Sequence, residues 1–254
     1  MLTAEHSTNI IIIPCRMGST RFPGKPLALI HGRTMLAWVV GNAVHAVGSS
    51  NTFVATCDLE IIAEAGKLGV RAIMTSDQHD RASDRTAEAV DLLEAEGKKI
   101  NSVLMLQGDE PTLMAEELLA AIGRLRSDSK VEIINLVGPI HSAEEWRDQN
   151  CIKVVADRDG AALYFSRLPV PHGATAASGL WRKQVCAIGF RRDALASFAG
   201  MAPSGLEEAE SIDMLRWREQ GRTVHLEPIS VTTHPVDVAE DIEIVEAILA
   251  ARRM

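Results

Sequence analysis

The stretch "IIIPCRMGSTRFPGKPL" from Ile11 to Leu27 joins a short apolar run to a loop rich in glycine, proline and cations. A run of isoleucines that Pro14 ends is typical of a buried strand in a parallel sheet. The loop after it holds Arg16, Arg21 and Lys25. Because ligands of open α/β sheets bind beyond the carboxyl ends of the strands, this loop is predicted to bind an anion such as a triphosphate.

Predicted strands and helices alternate through the first half of the chain. Strands are predicted at Asn9–Pro14, Thr52–Thr56, Arg71–Met74 and Ser102–Leu106, and helices at Thr34–Val47, Leu59–Leu68 and Asp84–Glu96. This alternation predicts an α/β fold that is doubly wound around a mostly parallel sheet.

The pattern changes after Glu132, where apolar stretches have few helices between them. Mixed or antiparallel strands are predicted at Ile133–Val137, Ile152–Val155, Ala161–Phe165 and Val185–Phe190, a loop at Pro169–Leu180, and closing helices at Leu206–Gln220 and Val238–Arg252. We therefore expect one domain over residues 1–254, with residues 132–205 as an inserted sub-region.

Composition narrows the class of protein. The formal charge of −8 gives no net positive field, which argues against a general nucleic-acid binder. The four cysteines are far apart and form no C-x-x-C pair, so neither a zinc site nor a disulfide framework is indicated. The polar segment Met1–Asn9 and the short apolar run after it resemble neither a signal peptide nor a membrane span, and a cytoplasmic location is expected.

The cationic loop matches neither of two common phosphate-binding motifs. A Walker A loop requires G-x-x-x-x-G-K-[ST], whereas Gly18 and Gly24 are too far apart and Pro26 follows Lys25. A G-x-G-x-x-G pattern is also absent, so kinases, GTPases and dinucleotide-binding dehydrogenases lose support. The alternative interpretation is a solvated basic loop that only covers the end of the sheet.

Acidic residues stand at two other turns, one after a predicted strand and one before the last predicted helix. "LMLQGDEP", Leu104–Pro111, places Gln107, Asp109 and Glu110 at the end of an apolar strand, hence at the same sheet edge as the cations. A carboxylate there suits Mg²⁺, which binds one or two carboxylates together with substrate phosphates. Asp237 precedes the last helix in "HPVDVAED", where composition alone also allows a helix cap.

The pattern R-x-x-S-T-R-x-P-G-K-P-L, together with LQGDEP and V-D-x-x-E-D, resembles the 3-deoxy-manno-octulosonate (KDO) cytidylyltransferases, which make CMP-KDO for lipopolysaccharide. The resemblance implies that CTP and magnesium bind here, with Asp109 and Asp237 as the Mg²⁺ ligands. It implies nucleotide contacts from Arg16, Ser19, Arg21, Lys25, Ser83, Arg85 and Gln107. Ser83 is expected at the N-cap of its helix, and the preceding Arg81 and Ala82 depart from the family pattern.

The resemblance also implies an acceptor site and a homodimer. Acceptor contacts are implied for Gln107, Arg167, Glu207 and Glu210, the last two facing one way because they lie about one helical turn apart. Gln184 and Ile188 are also expected at the acceptor site, because they stand where the family has a His and a Tyr that contact the acceptor. Residues 132–205 would bind the acceptor and pair two subunits, with Ala161–Phe190 at the interface.

The predicted reaction is transfer of CMP from CTP to the hydroxyl of a 2-keto sugar acid, with release of pyrophosphate. Arg16, Lys25, Asp109 and Asp237 are the predicted catalytic residues. One alternative is a different acid acceptor, such as another ulosonic acid, an amino-substituted KDO or a phosphonate, as Gln184 and Ile188 suggest. Another is a non-catalytic nucleotide-binding homologue, against which the retention of both aspartates argues.

Overall fold

The computed structural model describes residues 8–252. The strands are β1 (Thr8–Pro14), β2 (Leu29–Ile30), β3 (Arg33–Thr34), β4 (Thr52–Thr56), β5 (Arg71–Met74), β6 (Ile100–Leu106), β7 (Ile133–Pro139), β8 (Lys153–Ala156), β9 (Ala162–Ser166), β10 (Arg182–Arg191) and β11 (Val224–Pro228). The α-helices are α1 (Met35–Val47), α2 (Leu59–Lys67), α3 (Ala82–Ala95), α4 (Ala115–Ser127), α5 (Ala143–Arg147), α6 (Arg192–Ala199), α7 (Gly205–Glu210), α8 (Met214–Glu219) and α9 (Asp241–Ala251). The segment before Thr8, including most of the polar stretch considered as a signal peptide, lies outside the described residues.

Strand β1 lies inside a nine-stranded sheet whose main path runs β11-β7-β10-β6-β1-β4-β5. Its side chains alternate between two cores, because Ile10 and Ile12 pack on one face of the sheet and Ile11 and Ile13 on the other. All four are fully buried. A strand covered by helices on both faces is apolar throughout, which explains the isoleucine run and confirms the predicted doubly wound α/β fold.

Three parallel strands end side by side and create the edge at which the site forms. Strand β1 pairs in parallel with β4 and β6. The cationic loop and the turn after β6 therefore leave the sheet next to each other. The approach is close enough to favour glycine, since a Cβ at Gly108 would lie 3.0 Å from the Cβ of Cys15.

Strand β10 is inserted antiparallel between β6 and β7, in agreement with the mixed strands predicted after Glu132. Its pairing with β7 shifts between Gln184 and Ile188, which is the mark of a β-bulge. On its other side, Ala187 pairs with Leu106 at the end of β6. The bulged segment consequently faces the same edge as the acidic turn.

The structure corrects several predicted helix bounds. Helix α3 begins at Ala82 with Arg81 as its N-cap, so Ser83 is not the cap. The predicted helix Leu206–Gln220 is two helices, α7 and α8, because Ser211 adopts the left-handed conformation with φ 54°. The last helix begins at Asp241, and not at Val238. Helix α4 and strand β11 were not predicted.

Among residues 8–252, none of the helices is both long enough and apolar enough to cross a membrane.

Candidate active site

A cleft of about 350 Å³, the smaller of two at this edge, lies between the loop after β1 and the start of α3. Its walls include seven residues predicted to meet the nucleotide or its metal: Arg16, Ser19, Arg21, Lys25, Arg85, Gln107 and Asp109. Ser83 is fully buried and does not line this cleft. The structure thus assembles the predicted nucleotide residues, apart from Ser83, around one opening.

The loop that carries the cations is held in a defined shape. Gly24 has φ 74°, a conformation that favours glycine, and its N–H donates to the carbonyl of Met17 at 3.0 Å. The Oγ of Ser19 accepts from the N–H of Phe22 at 3.3 Å. Asp58, beyond β4, accepts from the N–H of Met17 at 2.7 Å. These hydrogen bonds argue against the alternative interpretation, in which the basic loop is solvated and only covers the end of the sheet.

Arg85 contributes a buried cation at the base of the smaller cleft. Its side chain is almost completely buried, and Nη1 donates to Thr75 Oγ1 at 2.5 Å. Its Nη2 is buried and has no hydrogen-bond partner within residues 8–252. A buried donor without a partner costs free energy, so an anionic ligand oxygen at this position would be stabilised.

A larger cleft of about 570 Å³ continues from the first, and the two share Arg21, Lys25, Arg81, Gln107 and Asp109. Its walls add the turn before α9 and the bulged part of β10. The predicted residues that it adds are Arg167, Gln184, Ile188 and Asp237. A ligand in one cleft can therefore meet a ligand in the other beside Asp109.

At the junction of the clefts, each of two carboxylates is paired with a cation of the loop. Lys25 Nζ lies 2.7 Å from Asp109 Oδ2, and Arg21 Nη2 lies 2.7 Å from Asp237 Oδ1. Lys25 Nζ also donates to the carbonyl of Val236 at 2.8 Å. Side chains far apart in the sequence are thereby brought to one point, as the strand end predicts for Asp109 and the family resemblance for Asp237.

The donor set at this junction fits a hard divalent cation. Asp109 Oδ1 is buried and has no hydrogen-bond partner in the described part of the chain. Burial raises the pKa of Asp237, and the nearby charge of Asp109 raises it further. Between residues 8 and 252 no cluster of three or more His, Cys, Asp or Glu side chains is placed to hold a metal. Two carboxylates suffice for Mg²⁺ when substrate phosphates and water complete its shell.

Asp241 fixes the turn that carries Asp237. Its Oδ2 accepts from the N–H groups of Asp237 and Val238 at 2.7 and 2.9 Å, and its Oδ1 lies 3.0 Å from His234 Nε2. The Asp237 carboxylate points instead to Arg21, and the N-cap of α9 is Glu240. The interpretation of Asp237 as a mere helix cap is therefore wrong.

Arg167, a predicted acceptor residue, and the nearby Lys153 are both already bonded within the protein. Arg167 lines the larger cleft, yet its guanidinium already donates to the carbonyls of Glu210, Gln149 and Ser211. Lys153, also a lone cation in an apolar strand, is fully buried and donates to three backbone carbonyls. Partners for these two cations are thus mostly backbone oxygens.

Glu207 and Glu210 do not line either cleft. Glu207 forms a bidentate pair with Arg216, and both side chains are at most 4% exposed. Glu210 accepts from Ser166 Oγ and the N–H of Arg167, both at 2.8 Å. The two glutamates therefore have different partners and do not present one common face to a ligand.

Comparison with known proteins adds a family to this geometry. A family model described as Cytidylyltransferase matches residues 10–229. The 3-deoxy-manno-octulosonate cytidylyltransferase of Thermodesulfovibrio yellowstonii is 35% identical, over 94% of this chain and 97% of its own length. That of Myxococcus xanthus is 38% identical, over 96% of this chain and 97% of its own. The chain belongs to the cytidylyltransferase family.

A solved structure supports the same assignment. It is of CMP:2-keto-3-deoxy-manno-octonic acid synthetase complexed with CTP, and it shares 32% identity with this cytidylyltransferase. The likeness covers 97% of this chain and 100% of the other, with a TM-score of 0.87. The fold and the family therefore rest on agreement over nearly the whole chain.

Two further charged residues line the larger cleft of this cytidylyltransferase: Glu110, which the sequence places at this edge without a role, and Lys183, which was not predicted. Glu110 is 2% exposed, and its Oε1 accepts from the N–H of Cys186 at 3.0 Å. Burial, followed by the charge of Asp109, raises the pKa of Glu110 to about 7. Lys183 is buried in β10 and bonds to Glu145 and to the carbonyl of Thr233. The sequence signal for Lys183 was its position two residues before the apolar stretch predicted as the strand Val185–Phe190.

Proposed function

We propose that this cytidylyltransferase transfers CMP from CTP to the hydroxyl of a 2-keto sugar acid, KDO or a similar acid, and releases pyrophosphate. The observation that carries the proposal is the junction of the two clefts, where Lys25 and Arg21 pair with Asp109 and Asp237. The relatives named above are 3-deoxy-manno-octulosonate cytidylyltransferases, and the solved structure holds CTP. One cleft thus suits the nucleotide and the other the acid.

The chain's own residues supply positioning and charge. The acceptor oxygen forms a bond to the α-phosphorus while the bond from that phosphorus to the pyrophosphate oxygen breaks, and the hydroxyl proton passes to solvent. Arg16, Arg21 and Lys25 line the smaller cleft and would offset the charge on the departing pyrophosphate. Aligned reactants and fixed charges are the main contributions in phosphoryl transfer, so no covalent intermediate on the enzyme is required.

We propose that Asp109 and Asp237 hold Mg²⁺ in this reaction. The bound ion would supply positive charge to the phosphates and lower the pKa of the attacking hydroxyl. Neutralised carboxylates would release Lys25 and Arg21, which are then available to phosphate oxygens. The unpartnered Oδ1 of Asp109 and the raised pKa of Asp237 support this assignment.

We also propose a cytoplasmic homodimer that acts in lipopolysaccharide biosynthesis, with residues 132–205 as the acceptor-binding and pairing sub-region. Leu163, Leu168 and Leu180 are 52%, 59% and 45% exposed, and all three lie between Ala161 and Phe190. Leu163 and Leu180 line the same surface hollow, and exposed apolar side chains that share a patch are common at subunit interfaces. Sedimentation of the protein, and of a variant with Leu163 and Leu168 changed to Ser, would test the pairing.

The activity test uses CTP, Mg²⁺ and a panel of acids that includes KDO, amino-substituted KDO, other ulosonic acids and a phosphonate. Pyrophosphate release and the mass of the CMP adduct are measured. We expect turnover with KDO or a close analogue, and Asp109→Asn should lower kcat by at least about 100-fold because it removes charge from the reacting centre. Asp159→Asn, an exposed change in the β8–β9 turn, should not.

Two results would contradict the proposal. Tight CTP binding without product from any acid would favour a non-catalytic nucleotide-binding protein. Turnover by Asp109→Asn at the wild-type rate would exclude the assignment of Asp109 to the metal. Adduct formation with only one member of the panel would identify the acid.

A further inference from the structure

Asn135 is a fully buried amide in β7, directly opposite the bulge in β10. Its Nδ2 donates to the carbonyl of Leu136 at 2.8 Å and to that of Val185 at 2.9 Å. Both hydrogens of the amide are thereby used. The remaining group, Oδ1, can only accept a hydrogen bond.

Gln184 meets that oxygen. Its Nε2 donates to Asn135 Oδ1 at 2.6 Å. Since Asn135 has no free donor, the Gln184 amide cannot be turned end for end without placing two oxygens against each other. Gln184 is half-buried and lines the larger cleft, and its Oε1 has no hydrogen-bond partner in the described part of the chain. One N–H remains on Nε2, so Oε1 is the end of the amide that is wholly unpaired.

The bulge itself is held from its other side as well. Cys186 donates its N–H to Glu110 Oε1 at 3.0 Å, and its carbonyl accepts from the N–H of Gln107 at 2.9 Å. Beyond the bulge, Ile188 is the register partner of Asn135. Both positions that depart from the family pattern are therefore next to Asn135: Gln184 donates a hydrogen bond to it, and Ile188 is its partner in the neighbouring strand.

We propose that Asn135 is a positioning residue that holds Gln184 with its carbonyl oxygen toward the acceptor. The group of the acceptor that meets Gln184 Oε1 must then be an O–H or N–H donor, and a group that only accepts is disfavoured at that oxygen. This inference rests on the proposed function, since it concerns the acid that the larger cleft binds. It assigns a hydrogen-bond direction, which neither the family nor the residue type determines.

The test measures kcat and KM for KDO and for derivatives in which each hydroxyl other than the attacking one is in turn replaced by fluorine, which cannot donate a hydrogen bond, or by an amino group, which can. At one position, fluorine should raise KM by about 10- to 100-fold in the wild type, as expected for an unpaired group in a binding site. The amino derivative at that position should have a KM within about threefold of that of KDO, because the amino group can also donate. Whichever of these two compounds has the lower KM shows whether the site prefers a hydroxyl or an amine.

Two variants separate positioning from simple structural support. Asn135→Leu releases the Gln184 amide, so the ratio of KM values for the fluoro and hydroxyl compounds should fall to about threefold or less. Gln184→Met, a change of similar size at a half-buried position, should bring the same ratio of KM values close to one. Gln220→Met, exposed at the end of α8, should leave it unchanged.

Three results would overturn the inference. They are wild-type KM values that are equal for all fluoro derivatives, an Asn135→Leu effect that is equal for every derivative, and a fluoro-to-hydroxyl ratio that Gln184→Met preserves. Any of these leaves the proposed function standing. If no acid yields pyrophosphate, the proposed function fails. The inference is then decided by calorimetry, through the ratio of Kd values for the fluoro and hydroxyl compounds, and absence of binding counts against it.

Discussion

Replacement of Glu207 by Gln should destabilise the fold and leave acceptor binding intact. Glu207 and Arg216 form two N···O contacts of 2.7 Å, and their side chains are only 1% and 4% exposed. Asp84 Oδ1 lies 3.7 Å from Arg216 Nη1, too far for a hydrogen bond that would replace the lost oxygen. Removal of one partner from a buried pair costs about 3–5 kcal/mol. Gln retains one acceptor oxygen, so we expect the lower end of that range.

The effect should also depend on pH in a defined direction. Burial opposes ionisation of Glu207, but the Arg216 guanidinium outweighs it and holds the pKa below the ordinary value of 4.5. A lowered folded pKa means that the contribution is present above about pH 4.5 and is lost as the pH falls through the folded value. The gap between wild type and variant should therefore persist at neutral pH and shrink in acid.

The assay is urea or thermal unfolding followed by circular dichroism, with Glu208→Gln as the matched control because Glu208 is exposed on the same helix. A loss of about 3 kcal/mol corresponds to roughly 6–12 °C for a chain of this size. The control should change stability by less than about 0.5 kcal/mol. A Glu207→Gln protein with wild-type stability and a raised KM for the acid would refute this reasoning and place Glu207 in the acceptor site.

Three further perturbations test other parts of the structure by the free energy of unfolding. The folded pKa of Glu110 is raised from 4.5 to about 7, so ionisation is less favourable in the folded state. As the pH rises from 4.5 to 7, the free energy of unfolding of the wild type should therefore fall by about 3 kcal/mol relative to that of Glu110→Gln; parallel pH profiles of the two proteins would contradict this. Gly189→Ala places a Cβ 2.7 Å from Leu125 Cδ1 and should cost about 1–3 kcal/mol, whereas Gly123→Ala, in open space, should not destabilise. Lys153→Met removes the donor shared by three partly buried backbone carbonyls and should cost about 2–3 kcal/mol; an unchanged urea midpoint would show that these carbonyls do not depend on Lys153.

The parallel part of the fold was predictable because each signal there is local. The bounds of β4 and β5 coincide with the predicted Thr52–Thr56 and Arg71–Met74, where apolar residues are framed by polar turns. The break at Ser211 was not predictable, since no glycine or proline marks it and the left-handed conformation is rare for serine. What holds that break is tertiary contact, such as the bonds that Arg81 and Arg167 make to Ser211.

The same distinction applies to the site. Asp109 and Asp237 could be placed together because strand ends of a parallel sheet share an edge and the family motif covers both. Glu207 was predicted to meet the acceptor from the family resemblance, and composition did not correct this because a buried carboxylate and a solvated one look alike in a helix. Its partner Arg216 lies on a second helix that the sequence does not separate from the first. Asn135 escaped notice because a single amide in an apolar strand carries no local signal of its partner.

The insertion of β10 between β6 and β7 has a consequence for the order in which the chain can fold. The edge of β6 is completed only when Ala187 reaches Leu106, long after β1, β4 and β5 have been synthesised. Pairing between segments so distant in sequence is slow, and an apolar strand edge that waits for its partner is prone to associate with other chains. A nascent chain that ends near Ser127 would therefore expose the open edge of β6, and release of the last third of the protein from the ribosome both closes that edge and completes the site beside Asp109.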